Sequence, residues 1–357
     1  MLLKDRKLFF SSHLLHWHST KNTRSMPWKN EKDPYKIWLS EIILQQTRVS
    51  QGLEYYEKLV EKYPTIGQLA AAKEQEVFKQ WEGLGYYSRC RNMIATARYI
   101  SLECGGKFPD KYDEIISLKG IGPYTASAIA SFAFNKPYAV VDGNVFRVLS
   151  RYFCINSPVD TSQGKKQFAL LAQQLLVKEK PALYNQAIMD FGAVICKPQQ
   201  PLCLECILQD QCCAYIKKSV HLLPLKSKKI EKRKRWFYYI LLQSGNDVML
   251  FHRNKKDIWK GLHEFLLLEQ SDPIEIEQLI PGILADNFLP VKFSLKHISP
   301  DYIQQLTHQT IYGKFIKIYV QKFPTIPEAI IVQNKKVKQL AFPRMITQYL
   351  EDFPLQP

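Results

Sequence analysis

Four cysteines within a short span, Cys196, Cys203, Cys206 and Cys212, constrain this chain more than any other feature. Their spacing is C-x6-C-x2-C-x5-C. The two-residue gap lets Cys203 and Cys206 bind one centre together, and the longer arms leave room for a bulky group. The donor set suits an iron–sulfur cluster or a structural zinc ion. Disulfides are disfavoured. The start, Met1-Leu2-Leu3-Lys4-Asp5-Arg6, places charges where a secretion signal needs an apolar core. No apolar run reaches the length of a membrane span, and a reducing interior keeps thiols reduced. Cys90, Cys104, Cys154 and Cys213 therefore read as buried or incidental thiols, with Cys213 a competing ligand because it follows Cys212.

The 357 residues give room for two domains, and a hydrophobic fraction of 46% supports packed cores. Lys and Arg number 49 against 33 Asp and Glu, a formal net charge of +16. Such an excess suits a polyanionic partner such as nucleic acid. The basic segment 226–235 reads as an exposed linker, either near phosphates or as a solvated tether. Before it the apolar residues recur with helical period. After it, residues 236–242 (WFYYILL) read as a buried strand and residues 315–320 as a second, partly alternating one. The expectation is an all-α domain over 1–225 followed by an α+β domain over 236–357.

Three motifs carry chemistry. In LKGIGPYTA (residues 118–126), Gly120, Ile121 and Gly122 form a tight turn between two helices. Glycines there let the bare amides of a helix start approach a phosphate. Glu41, in SEIILQQT, shares a helical face with Ile37, Trp38, Leu44 and Gln45. Burial on that face would raise its pKa and keep it a protonated acid; the ordinary alternative is a surface Glu paired with Lys or Arg. Asp142 precedes Gly143-Asn144-Val145, where it can cap a helix. Held there as an anion it can also face a developing positive charge, and with Glu41 it forms the carboxylate pair of a glycoside-cleaving site.

Together, SEIILQQTRV, GLGYYSR, LKGIGPYTA, VDGNVFRV and the cysteine loop resemble adenine DNA glycosylases of the MutY type, members of the helix–hairpin–helix glycosylase superfamily. The resemblance covers the first two-thirds of the chain most closely. It implies a six-helix part over about 30–134 and a second part formed by about 1–29 with 135–225. It implies one 4Fe-4S cluster on Cys196, Cys203, Cys206 and Cys212. The implied substrate is adenine opposite 8-oxoguanine or guanine in double-stranded DNA. Glu41 would protonate the flipped base, Asp142 would stabilise the sugar cation, and Asn144 would hold the site. Tyr124 stands where related lyases carry a Schiff-base lysine, so strand cleavage is not expected. Gln46 and Tyr86 would fill the gap left in the stack; for Tyr86 the alternative is core packing. Arg24, Trp28 and Leu44 would contact the adenine, and Gly120 and Gly122 the backbone.

The second domain resembles the Nudix-like domain of the same family, which reads 8-oxoguanine. Trp259-Lys260-Gly261-Leu262-His263-Glu264-Phe265 matches its WxGLWEF-type segment with His263 as a departure, and Leu306-Thr307-His308 matches its recognition loop with Leu306 and Thr307 as departures. Thr307 and His308 are thus expected to contact the oxidised base. A bifunctional endonuclease III-like glycosylase/lyase and a non-catalytic DNA-binding scaffold are the competing readings. A monomer in a bacterial cytoplasm, with no membrane and with other repair or replication proteins as further partners, completes the expectation.

Overall fold

The computed structural model describes residues 3–227, 231–276 and 293–355. Its contacts form two compact units that do not follow the order of the chain. One comprises Met1–Ala71 with Asn92–Lys228, the other Ala72–Arg91 with Lys229–Pro357. Lys228, Lys229 and Ile230 of the expected linker lie outside the described residues. Among the described residues no helix is long and apolar enough to cross a membrane.

The first unit is helical. Around one core, Phe10, Leu14 and Trp17 of the Leu3–Thr20 helix pack with Val145, Leu149 and Tyr152 of Gly143–Phe153 and with Tyr184, Ile188 and Phe191 of Pro181–Val194. The Pro34–Leu44 helix is buried along Ile37, Trp38, Leu39, Ile42 and Ile43 and packs against Pro123–Phe132. Asp33 caps its start by accepting from the Tyr35 amide at 2.9 Å, with Pro34 preset in the first turn. The helices Tyr112–Ser117 and Pro123–Phe132 form the expected hairpin. Gly120 is required twice: its φ is +82°, and a Cβ there would lie 2.7 Å from Asn92 Cβ. Gly122 is the N-cap of the second helix.

The second unit is α+β. Its strands are β1 (Arg233–Ser244), β2 (Asp247–His252), β3 (His263–Glu264), β4 (Leu266–Gln270), β5 (Phe293–Ile298), β6 (Tyr302–Gln305), β7 (Gln309–Val320) and β8 (Ala329–Gln333). They form one mixed sheet in which β1 pairs parallel with β7 over Arg233↔Gln309 to Gln243↔Tyr319, while the other pairings are antiparallel. Both faces of β1 are covered, which explains its unbroken apolar run. One face packs Tyr238, Ile240 and Leu242 against Ile316, Ile318 and Val320. On the other, Tyr239 stacks on Phe315, and Phe315 on Tyr349 of the Arg344–Asp352 helix, at 5.1 and 4.1 Å between ring centres.

Two features differ from expectation. First, β1 begins at Arg233, so the last three residues of the expected linker lie in a strand, and Arg235 is buried. Its guanidinium is neutralised by Asp257 and Glu269, each at 2.7 Å, which makes that burial tolerable. Second, residues 72–91 pack with the sheet. Gln75 donates to the Gly261 carbonyl at 3.2 Å, Lys79 to that of Leu340 at 3.0 Å, and the Phe342 amide donates to Glu82 at 2.9 Å. A Cβ on Gly261 would lie 2.7 Å from the Phe78 ring, so only glycine admits this helix.

Candidate active site

The helical unit contains a cavity of about 1030 Å³. Glu41, Tyr124, Asp142 and Asn144 line it, as do Arg24, Trp28, Leu44 and Gln46. Residues up to 120 positions apart in sequence thus converge, because the helices that carry Glu41 and Tyr124 pack on each other and Asp142 starts a third.

Glu41 is 6% exposed, and burial pushes its carboxyl up to about 7. A hydrogen bond from Tyr124 opposes the rise and the Asp142 charge adds to it. The surface ion pair considered from sequence is therefore not its environment. Burial likewise raises the Tyr124 phenol far above its ordinary value, so it stays a neutral hydrogen-bond donor. Asp142 is the N-cap of Gly143–Phe153, accepting from the Val145 amide at 2.8 Å and from the Asn144 side chain at 2.7 Å. Capping and site placement hold together. Burial raises the Asp142 pKa, while those hydrogen bonds and the Arg147 charge pull it back towards the anion. Burial raises both carboxyls, but they differ in what opposes it: a phenol hydrogen bond at Glu41, and two hydrogen bonds plus the Arg147 charge at Asp142.

Several supporting residues escaped the sequence reading. Arg147 donates to the Asn144 side-chain oxygen at 2.8 Å, to the Gly192 carbonyl at 2.7 Å and to the Cys196 carbonyl at 2.6 Å. This chain of bonds ties Asp142, through Asn144, to the first cysteine of the loop. Gly192 leaves the space for Asn144, whose Cβ would lie 2.6 Å from any added Cβ. Asp190 is fully buried and accepts from Asn22 and Arg24 at 2.8 Å and from Gln186 at 2.9 Å, with Lys29 at 3.4 Å. It anchors the segment that carries Arg24 and Trp28. A carboxylate in the apolar run AIMDFGAV (residues 187–194) was the available signal, since a buried charge must find partners.

Cys196, Cys203, Cys206 and Cys212 are free thiols that wall one small cavity of about 30 Å³. Arg151 donates to the Cys196 sulfur at 3.4 Å, and the Cys212 thiol donates to the Arg151 carbonyl at 3.7 Å. Burial raises the thiol of Cys206 to about 12 and also raises those of Cys203 and Cys212. Among the described residues no group of three or more His, Cys, Asp or Glu side chains is disposed to hold a single metal ion. Cys154 and Cys213 are not incidental thiols but a disulfide pair. Cys154 ends Gly143–Phe153 in a left-handed conformation, and the short helix Cys213–Ile216 packs on that helix, which brings the two together.

The remaining predicted residues lie elsewhere. Gly120 and Gly122 sit at the hairpin turn. Tyr86, Thr307 and His308 belong to the sheet unit. Tyr86 is 41% exposed, which contradicts core packing, whereas its neighbour Tyr87 is buried. Its hydroxyl meets that of Thr307 in the three-residue turn between β6 and β7. Gln46 and Tyr86 both adopt left-handed backbone, φ 58° and 46°, a strain that collects at functional positions.

The pattern that defines the HhH-GPD superfamily base excision DNA repair proteins matches residues 39–174, which include Glu41, Tyr124, Asp142 and Asn144. An adenine DNA glycosylase of Buchnera aphidicola subsp. Baizongia pistaciae is 34% identical over 319 residues, 88% of this chain and 87% of that protein. The chain belongs to the adenine DNA glycosylase family. The mouse adenine DNA glycosylase is 41% identical over 215 residues, 58% of this chain and 42% of its own. Among solved structures, a thermostable thymine-DNA glycosylase superposes with a TM-score of 0.56 at 31% identity, covering 60% of this chain and 98% of its own. An endonuclease III–DNA complex, at 23% identity and a TM-score of 0.53, shares the fold. These two structures cover 60% and 61% of this adenine DNA glycosylase family member.

Proposed function

We propose that this protein is a monofunctional base-excision repair enzyme that removes adenine opposite 8-oxoguanine or guanine in duplex DNA by hydrolysing the N-glycosidic bond of the flipped nucleotide. The observation that carries the reading is that buried Glu41, its carboxyl pushed up to about 7, lines one cavity with Asp142, whose carboxylate oxygens accept from the Val145 amide and the Asn144 side chain. Glu41 holds a proton near neutral pH and gives it to the purine N7, so the base leaves as a neutral molecule. Asp142, held by Val145 and Asn144, faces the sugar cation as the bond breaks. Water then adds to the sugar carbon, and its surplus proton returns to the Glu41 carboxylate. Tyr124 supports the pair; a phenol forms no imine, so the strand is left intact.

The four thiols fit a 4Fe-4S cluster. They surround a cavity, where a zinc ion needs four sulfurs about 2.3 Å from one point. Bound there, the cluster would tie the loop 196–212 to Gly143–Phe153 through Arg147 and Arg151. The sheet unit is a Nudix-like recognition module in which Thr307 and His308 contact the oxidised base. Tyr86 and Gln46 occupy the space vacated in the stack.

The test is a labelled duplex with one adenine opposite 8-oxoguanine, incubated with the protein and split with and without hot alkali. Strand breaks after alkali alone are expected. Breaks without alkali would establish the glycosylase/lyase reading, and binding without product either way would establish the scaffold reading.

A further inference from the structure

The turn that carries Tyr86 is built from residues that a tyrosine would not choose unaided. Gly83, Gly85 and Tyr86 all have positive φ, at 90°, 76° and 46°. For a tyrosine this conformation is strained and persists only where its surroundings impose it. Arg89 supplies that constraint from several sides. Its amide donates to the Tyr86 carbonyl at 2.8 Å. Its guanidinium donates to the carbonyls of Leu84 and Gly85 at 3.4 Å each. The same planar group lies 5.3 Å from the ring centres of both Trp81 and Tyr86. Trp81 in turn donates its indole hydrogen to the Gly85 carbonyl at 2.9 Å. Arg89 is 8% exposed, whereas Tyr86 is 41% exposed. A buried cation thus backs an exposed ring, and the hydroxyl at the far end of that ring meets Thr307.

We propose that Arg89 is the positioning residue for Tyr86: its guanidinium fixes the turn and the ring so that Tyr86 enters the duplex already oriented against Thr307. This rests on the reading of Tyr86 as the residue that fills the stack. Arginine suits the task because one planar group can lie over two rings while donating to two carbonyls; an ammonium is a point donor without a plane. Preorganisation of this kind adds no new contact to DNA. It removes the ordering step from each encounter.

The test is a double-mutant cycle on the full chain with Arg89→Ala, Arg89→Lys, Tyr86→Ala and the combined variants. Two readouts are needed: the single-turnover rate on adenine opposite 8-oxoguanine, and the fluorescence of 2-aminopurine placed beside the 8-oxoguanine, which rises as the stack opens. Arg89→Ala is expected to blunt the fluorescence rise and slow excision about tenfold or more. Lysine should not restore either, and Tyr86→Ala should be made no worse by adding Arg89→Ala. If Arg89→Ala does not fold, Arg89→Lys alone and with Tyr86→Ala carries the same cycle. Losses that multiply in the double variant, or wild-type behaviour of Arg89→Lys, would overturn the proposal. Wild-type fluorescence and rate in Tyr86→Ala would be a different failure: it removes the stack-filling reading itself, and the role of Arg89 with it.

Discussion

Glu41 of the helical unit and the carboxyls gathered around Arg235 and Arg253 of the sheet unit meet opposite surroundings. In the sheet unit, Asp257 and Glu269 close on Arg235, and Glu264 and Asp257 on Arg253. The cations also lie over aromatic rings, Arg235 above Phe237 and Arg253 near Trp259. Arg235 holds the Asp257 carboxyl below its ordinary range, whereas burial raises that of Glu264 and Arg253 pulls it back. In the helical unit, Glu41 is met by a phenol and a second carboxyl. Burial and the Asp142 charge outweigh the Tyr124 hydrogen bond, so the proton stays near neutral pH. The first pattern serves structure. The second holds a group in a state it would not adopt in water, which is what proton transfer at pH 7 needs.

The largest expected effect breaks this contrast at its functional end. Glu41→Gln should cut single-turnover excision by about 10²–10⁴-fold while mismatched duplex is still bound. It should leave unfolding stability nearly unchanged, because the amide keeps the shape and sheds the ionisable group. Arg235→Ala should do the reverse. It strips Glu269 of its cation and leaves Asp257 with Arg253 alone, and since both carboxylates keep roughly a third of their side chains in water the loss should be about 1–2 kcal/mol. Chemical denaturation should show that loss, and the pH dependence of excision should not move. Replacing Cys203 by Ala should remove visible iron–sulfur absorbance; a protein that holds only zinc before the change would refute the cluster. The smallest effect concerns selectivity. Thr307→Ala removes one hydroxyl, so the preference for 8-oxoguanine over guanine opposite adenine should fall only about fivefold, the value of roughly one hydrogen bond. Competition between the two duplexes in one tube would measure it.

Much of the first unit was legible because its signals are local. The apolar face around Glu41, the glycine turn at 120–122 and the cap at Asp142 each sit within one helix or one turn, and the structure places them as the spacing predicts. What escaped depends on distant partners. Asp190 looks like a misplaced charge until Arg24, 166 positions away, folds onto it. Arg147 matters because Cys196 and Gly192 lie beside it. Cys154 and Cys213 are unremarkable until two helices pack. Residues 72–91 read as helix like their neighbours; the room Gly261 leaves for Phe78 and the bonds of Gln75, Lys79 and Glu82 to distant positions tie this segment to the sheet. Arg235 misled for a related reason: in a run of basic residues it looks like linker, and its acidic partners come 22 and 34 positions later.

The most direct test of the central claim is the pH dependence of single-turnover excision at saturating protein, with adenine opposite 8-oxoguanine. Glu41 must be protonated to act, and burial raises its carboxyl to about 7. The rate should therefore hold below that pH and fall about tenfold per unit above it, and this limb should vanish from the residual activity of Glu41→Gln. A rate that stays level from pH 6 to about 9, where a carboxyl at 7 would have lost nearly all its protons, would contradict Glu41 as the acid.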